Sequence, residues 1–267
     1  VPFTVSHAFV AVPFARTALP AGAVAAGAMV PDLPLFLPVG VSYESTHEFP
    51  WFLVTAMPLA FLAFAIWRVV VRPVARAVVP RKLAERLPLE WDGTAVDGWR
   101  SLWRADAHAR PRVASALLLL AALLIGVLTH VVWDAFTHPG SWGTQLVPAL
   151  NDSAAGIPIA VWLHYASSAV GLAALAVWLV LWLRHRAPTP TPAHTAHDPR
   201  RAFWLVMAFA TAITVVVIAL QSAAEAASAT RLFYVLLDAL TTTLGALTLA
   251  IVLASLAAQV TRTRPEG

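Results

Sequence analysis

The sequence predicts an all-α, polytopic membrane helix bundle with five spanning helices and an N-terminal re-entrant hairpin or sixth span. Three observations predict it. Of 267 residues, 59% are hydrophobic and only 12% are charged, with a mean hydropathy of +0.73, whereas soluble domains are about a quarter charged. Apolar runs recur at 51–71, 113–136, 158–183, 202–220 and 232–260, each near or above the roughly 20 residues a helix needs to cross hydrocarbon. Basic and non-basic loops alternate between those runs, as the positive-inside pattern requires.

The N-terminal segment "VPFTVSHAFVAVPFARTALPAG" has no basic stretch before its apolar residues, and Pro13 and Arg16 interrupt it, so it does not read as a secretory signal. The broken run 18–40 is either a sixth span or half of a hairpin. In the hairpin reading, 4–16 descends, "TALP" turns, and 21–33 climbs back. Arms of about 13 residues give about 20 Å of helix, enough for half-membrane penetration against other helices.

The next loop, 41–50, carries no Lys or Arg, and neither does 137–157. By contrast, nine of the 18 Lys and Arg residues fall between Arg72 and Arg112, four more fall in 184–201, and the tail carries Arg262 and Arg264. Positive-inside orientation therefore puts 72–112, 184–201 and the C-terminus in the cytoplasm, and 41–50, 137–157 and 221–231 opposite. The net charge of +4 and pI near 10.3 belong to these loops, so no nucleic-acid partner is expected; membrane lipids are. Within 72–112, Trp99 and Trp103 share a helical face among arginines, as in an interfacial helix or an ordinary basic loop. The Pro/Thr-rich 187–199 reads as an extended linker, with no specific role for His194 and His197. It divides a core, 1–186, from a C-terminal helix pair, 200–267.

With no cysteine in the chain, disulfides, thiolate ligands and cysteine nucleophiles are excluded, and any metal must rest on nitrogen and oxygen. The stretch "THVVWDAFTHPG" supplies such donors. His130, Asp134 and His138 stand at i, i+4 and i+8, within about 80° of one helical face and about 6 Å apart per step. His130 and Asp134 fit one ion; His138, about 12 Å along the axis from His130, fits a second ion or an outer position. Ionisable groups at membrane depth are costly unless paired, hydrated or ligated, although hydration near the mouth of a span lowers that cost. "MVPDLPLF" sets Asp32 between prolines, a broken-helix signal, and "YESTHEFP" places Glu44, His47 and Glu48 in the loop on the side assigned to His138. His7 joins them only if the hairpin forms.

With "PFTVSHAFVAVPFAR", "AGAMVPDLPLF", "THEF" and "THVVWDAFTHPGSWG", the chain resembles the bacterial membrane family called domain of unknown function 4184, over about residues 2 to 175. That family carries no established activity; the resemblance implies a bacterial inner membrane as the location. A more distant likeness is to membrane-bound metal-dependent hydrolases and to zinc phospholipase C proteins, whose His-x-x-x-Asp helix is similar to His130 and Asp134. The second helical His-x-x-x-Glu of those enzymes is matched only by His164, since Ser168 stands where the carboxylate would be; one or two metals are implied, not three. His164 then reads equally as a metal or substrate contact and as a packing residue.

The leading functional expectation is a metal-dependent hydrolase acting on a lipid or phosphoester headgroup at the non-cytoplasmic face. His7, Asp32, His47, His130, Asp134 and His138 supply ligands to a divalent ion, zinc foremost, and Asp32, Glu44 or Glu48 serves as general base. A proton- or ion-coupled transporter and a metal-stabilised scaffold without turnover use the same residues and remain alternatives.

Overall fold

The computed structural model describes residues 4–103, 111–191, 199–225 and 229–262. Residues 4 to 35 form a hairpin. Helix α1 (Thr4–His7) runs into a 3-10 stretch, Ala8–Arg16; after a turn, α2 (Ala21–Met29) returns and ends in a second 3-10 stretch, Val30–Leu35. Pro13 and Pro34 lie inside the 3-10 stretches, where each removes an amide donor and crowds the preceding turn, so neither arm can extend as regular α-helix. The Thr4 hydroxyl donates to Asp32 at 2.5 Å, and the open ends of the two arms therefore meet. Run 18–40 is not a sixth span: its helical part, Ala21–Leu35, has nine α-helical residues at about 1.5 Å each and six 3-10 residues at about 2 Å each, roughly 25 Å against ~30 Å of hydrocarbon.

After the hairpin, α3 (Tyr43–His47), N-capped by Ser42, leads to the first long apolar segment, Trp51–Val78. This comprises α4 (Ala56–Ile66), a π-helical turn (Trp67–Val71) and α5 (Arg72–Val78). The span was expected to stop at residue 71, before Arg72 and Arg76; it continues because its backbone and charges find partners. Pro73 cannot donate to Val69, and the Gln259 side chain donates instead to the carbonyls of Val69 and Val70, at 2.9 and 2.7 Å, which accounts for a π turn just ahead of the proline. Arg76 is fully buried. It donates to the Leu87 carbonyl, to Thr189 Oγ1 and Pro190 O, both at 2.9 Å, and pairs with Asp92 at 2.9 Å.

The basic layer continues through α6 (Arg81–Ala84) and α7 (Ala95–Leu102), the latter opened by a reciprocal capping box between Thr94 and Asp97. Trp99 and Trp103 meet edge to face, with centroids 5.8 Å apart. Three further long helices follow: α8 (Arg112–Thr137), then, after the short α9 (Trp142–Leu146) and a two-stranded ribbon of β1 (Ser153–Ala154) and β2 (Ile157–Pro158), α10 (Ile159–Arg184), and then α11 (Pro199–Glu225). α12 (Ala229–Arg262) closes the chain. Among the described residues, five helical segments are long and apolar enough to cross a membrane, and large apolar side chains such as Val113, Leu117, Val170 and Phe209 face outward, as lipid contact requires. The expected linker is not loose at its start: the Thr189 amide donates to Glu85 O at 2.7 Å, and Arg76 grips Thr189 and Pro190. His194 and His197 lie outside the described residues.

One helix crossing sets the geometry of the core. A Cβ on Gly27 would strike the Leu123 carbonyl and one on Gly126 the Val24 carbonyl, so α2 and α8 touch backbone to backbone, as small residues allow in membrane bundles. Ala23, Val24, Ala28, Leu123 and Val127 fill the contact.

Candidate metal centre

Because Gly126 lets α2 approach, the Ala28 carbonyl comes within 2.7 Å of His130 Nδ1, one turn further along α8. A carbonyl only accepts, so Nδ1 carries the hydrogen and Nε2 faces away from α2. His47 is fixed in the same way: its Nδ1 lies 2.9 Å from the carbonyl of Tyr43, one turn earlier in α3, and the Tyr43 ring lies against it with centroids 3.9 Å apart. Thr46, fully buried, ties α3 to the end of the hairpin by donating to Pro31 O or Tyr43 O, both at 2.7 Å. Burial, and then the neighbouring His130, hold the His47 imidazole below its ordinary range, which favours the neutral ring.

The two Nε2 atoms meet at 3.2 Å. With both Nδ1 hydrogens spent on carbonyls, two neutral rings would direct lone pairs at each other, so the contact calls for either a proton on one Nε2 or a bound cation between them. Around that point stand two buried carboxylates. Asp134 Oδ2 is 3.3 Å from His130 Nε2 and 3.8 Å from His47 Nε2; Asp32 Oδ1 is 3.5 Å and 3.8 Å from the same atoms. A tetrahedral ion with ligand bonds near 2.0–2.1 Å has ligand-to-ligand edges of about 3.3 Å. Asp32, His47, His130 and Asp134 thus form a group that could hold a metal ion. Asp134 Oδ1, the oxygen turned away from those two nitrogens, is buried and accepts no hydrogen bond among the described residues.

His7 stacks on His130 with centroids 4.1 Å apart, and its Nε2 is 3.6 Å from Asp134 Oδ1. The hairpin is what brings it there. His138 is not on the helical ladder: α8 ends at Thr137 and His138 is extended, with φ −114° and ψ 119°, because the proline that follows disfavours helix at that position. Pro139 and Gly140, at φ +82°, then turn the chain, a backbone setting that glycine tolerates. His138 Nδ1 nevertheless stays 3.7 Å from Asp134 Oδ2, and its ring meets that of His164 at 5.0 Å between centroids. Asp134, His138 and His164 form a second group able to hold a metal ion, sharing Asp134 with the first. Ser168, in place of a carboxylate, is buried.

Glu44 and Glu48 are exposed and stand outside both groups. The backbone amide of Glu44 and the Ser42 hydroxyl hold the Glu44 carboxyl below its usual range, which makes it a weaker base. Asp32 Oδ2 already accepts from Thr4 while Oδ1 faces the histidines, an orientation suited to a ligand. Sequence reasoning did not single out Thr4, Ala28, Tyr43, Thr46 or Gly126. Tyr43 and Gly126 each lie four residues before a site histidine, a helical spacing that could have pointed to them.

A family profile described as Domain of unknown function (DUF4184) matches residues 1–256. The chain belongs to that family. The DUF4184 match covers both groups of ligands and reaches well past residue 175, where the resemblance in the sequence ended, into α12. Neither curated proteins nor solved structures yield a match. In this DUF4184 chain, His7, Asp32, His47, His130, Asp134, His138 and His164, which are scattered over five segments of sequence, come together at one end of the bundle, while the arginine-rich loops gather at the other.

Proposed function

We propose that the protein is a metal-dependent hydrolase of the bacterial inner membrane that acts on a lipid or lipid-linked phosphoester at the non-cytoplasmic face. The observation behind this reading is the convergence of the His47 and His130 Nε2 atoms, 3.2 Å apart, with two buried carboxylates around them. Two aspartates and two neutral imidazoles would balance a divalent ion, and zinc suits the donor set and spacing. His138 and His164 would hold a second ion, with Asp134 shared. Bound there, a divalent ion supplies Lewis-acid polarisation of a phosphoryl or acyl oxygen.

The residues around the cluster divide the remaining work. His7 lies between the cluster and an apolar groove of about 680 Å³ lined by Phe9, Val10, Val132, Trp133 and Val170. The groove runs between the first hairpin arm, α8 and α10, and among the described residues the only titratable side chain on its wall is His7. An acyl chain laid in it would bring its headgroup to His7 and the ligands, and His7 is placed to accept or give the transferred proton. Glu44 and Glu48, exposed at the rim, are the less suited bases.

The test is turnover by metal-loaded protein in defined bilayers, with phosphodiester, phosphomonoester and carboxylic ester lipids as substrates. Release of product by wild type, and its loss in His7→Gln with metal content unchanged, is the expected result. A fully metallated, folded wild type that turns over none of these lipid classes would refute the hydrolase reading and leave a metal-stabilised scaffold.

A further inference from the structure

At the end of the bundle opposite the histidines, a second cavity of about 700 Å³ lies among the hairpin turn, the π turn, the 88–91 loop and the end of α10. Three arginines line it: Arg68, Arg72 and Arg186. Each lies over an aromatic ring. Arg68 is 5.6 Å from the centroid of Phe64, Arg72 is 5.7 Å from Trp91, and Arg186 is 4.9 Å from Trp182. Stacking holds a guanidinium by its face and leaves its N–H edge available for a planar or tetrahedral oxyanion.

Arg72 and Arg186 have few polar partners among the described residues. The Arg72 side chain donates only a long bond, 3.5 Å, to the backbone carbonyl of Glu90, and its buried Nε has no hydrogen-bond partner. Arg186 has no carboxylate partner among the described residues. Arg68 donates to Ser101 O at 3.0 Å and adds charge. Among the described residues Glu90 is the only acidic one on the wall and is itself exposed, so three cations there face one solvated anion. This differs from the way the chain treats Arg76, whose terminal nitrogens donate to two carbonyls and a hydroxyl and whose Nε is ion-paired with Asp92.

Position supplies the second argument. Arg72 and Arg186 stand near the C-terminal ends of their long apolar helices, Trp51–Val78 and Ile159–Arg184, and Trp67, Trp91 and Trp182 line the same space. Tryptophan and arginine together mark headgroup depth in a bilayer. The wall also includes the apolar hairpin turn, Ala18 to Ala21, so an occupant meets both charge and hydrocarbon. We infer that this cavity binds the phosphate group of an anionic lipid, with Arg72 and Arg186 as its main donors, independently of the histidine cluster. A soluble phosphate ester presents the same chemistry.

The experiment uses the full-length chain in detergent, with lipid retention read by native mass spectrometry and thermal stability read in parallel. Phosphatidylglycerol, phosphatidylcholine and inorganic phosphate are the probes. Wild type should retain phosphatidylglycerol over phosphatidylcholine, and Arg72→Gln with Arg186→Gln should lower that preference about tenfold or more. Arg184→Gln removes an equal charge outside the cavity and should leave it unchanged. If the double variant does not fold, Trp182→Leu, which removes the ring beneath Arg186 and keeps every charge, should lower the preference alone. Saturable stabilisation by inorganic phosphate without lipid preference, lost in the same variants, would assign the site to a soluble phosphate compound. No response to either probe, or an equal loss in Arg184→Gln, would overturn the proposal.

Discussion

Gly126→Ala tests whether the α2–α8 crossing governs the metal centre. The new Cβ would fall on the Val24 carbonyl and lie 2.7 Å from Ala28 N and 2.9 Å from Gly27 C. Relieving those contacts needs the two helices to part by about 1 Å, an overpacking strain of about 1–3 kcal/mol. The bond from His130 Nδ1 to Ala28 O, now 2.7 Å, would then exceed hydrogen-bonding distance, at a further cost of about 1 kcal/mol. Freed from that carbonyl, the His130 ring loses its fixed orientation, and losses of this kind lower metal affinity about 10- to 100-fold. Zinc affinity, measured by competition with a chelating dye on protein shown to be folded, checks the outcome. Ala121→Val, on the exposed side of the same helix, is the control for added bulk and should be silent. Wild-type affinity in Gly126→Ala would refute the claim that the crossing positions the ligand.

The same geometry sets three further expectations. His138→Ala with His164→Ala should remove one of two bound ions and leave the tighter one, whereas Asp134→Asn should weaken both, as read by metal stoichiometry. Gln259→Leu strips the donor from the carbonyls of Val69 and Val70; unpaired backbone groups of this kind cost about 1–3 kcal/mol, so its thermal midpoint should fall with metal content unaffected. Arg76→Ala leaves Asp92 without its buried partner and releases the 189–190 segment, a loss of about 3 kcal/mol or more that should appear as faster proteolysis near residue 190.

Much of this arrangement is legible in residue order. Hydropathy gives the five long helices, since lipid contact demands unbroken apolar length, and the prolines at 13, 31 and 34 give the broken hairpin. His130 and Asp134 announce themselves as polar groups in an apolar helix. What the sequence hides is long-range. Arg72 and Arg76 read as the start of a loop, yet the helix continues through them because Asp92, Thr189 and backbone carbonyls receive the Arg76 charge. His138 looks like the third rung of a ladder, but Pro139 turns it off the helix and towards His164. The pairing of His47 with His130 depends on Ala28, Tyr43 and Thr46, whose contributions are two carbonyls and a hydroxyl that no side-chain motif advertises.

The most direct measurement is metal content per chain by mass spectrometry, on wild type and on His130→Ala with Asp134→Ala, after weak chelation has removed loosely held ions. At least one ion per wild-type chain, lost from the folded double variant, is the predicted result. A folded wild type that binds no metal, even after zinc is added back, would mean that a proton alone bridges His47 and His130, and the metal centre would be contradicted.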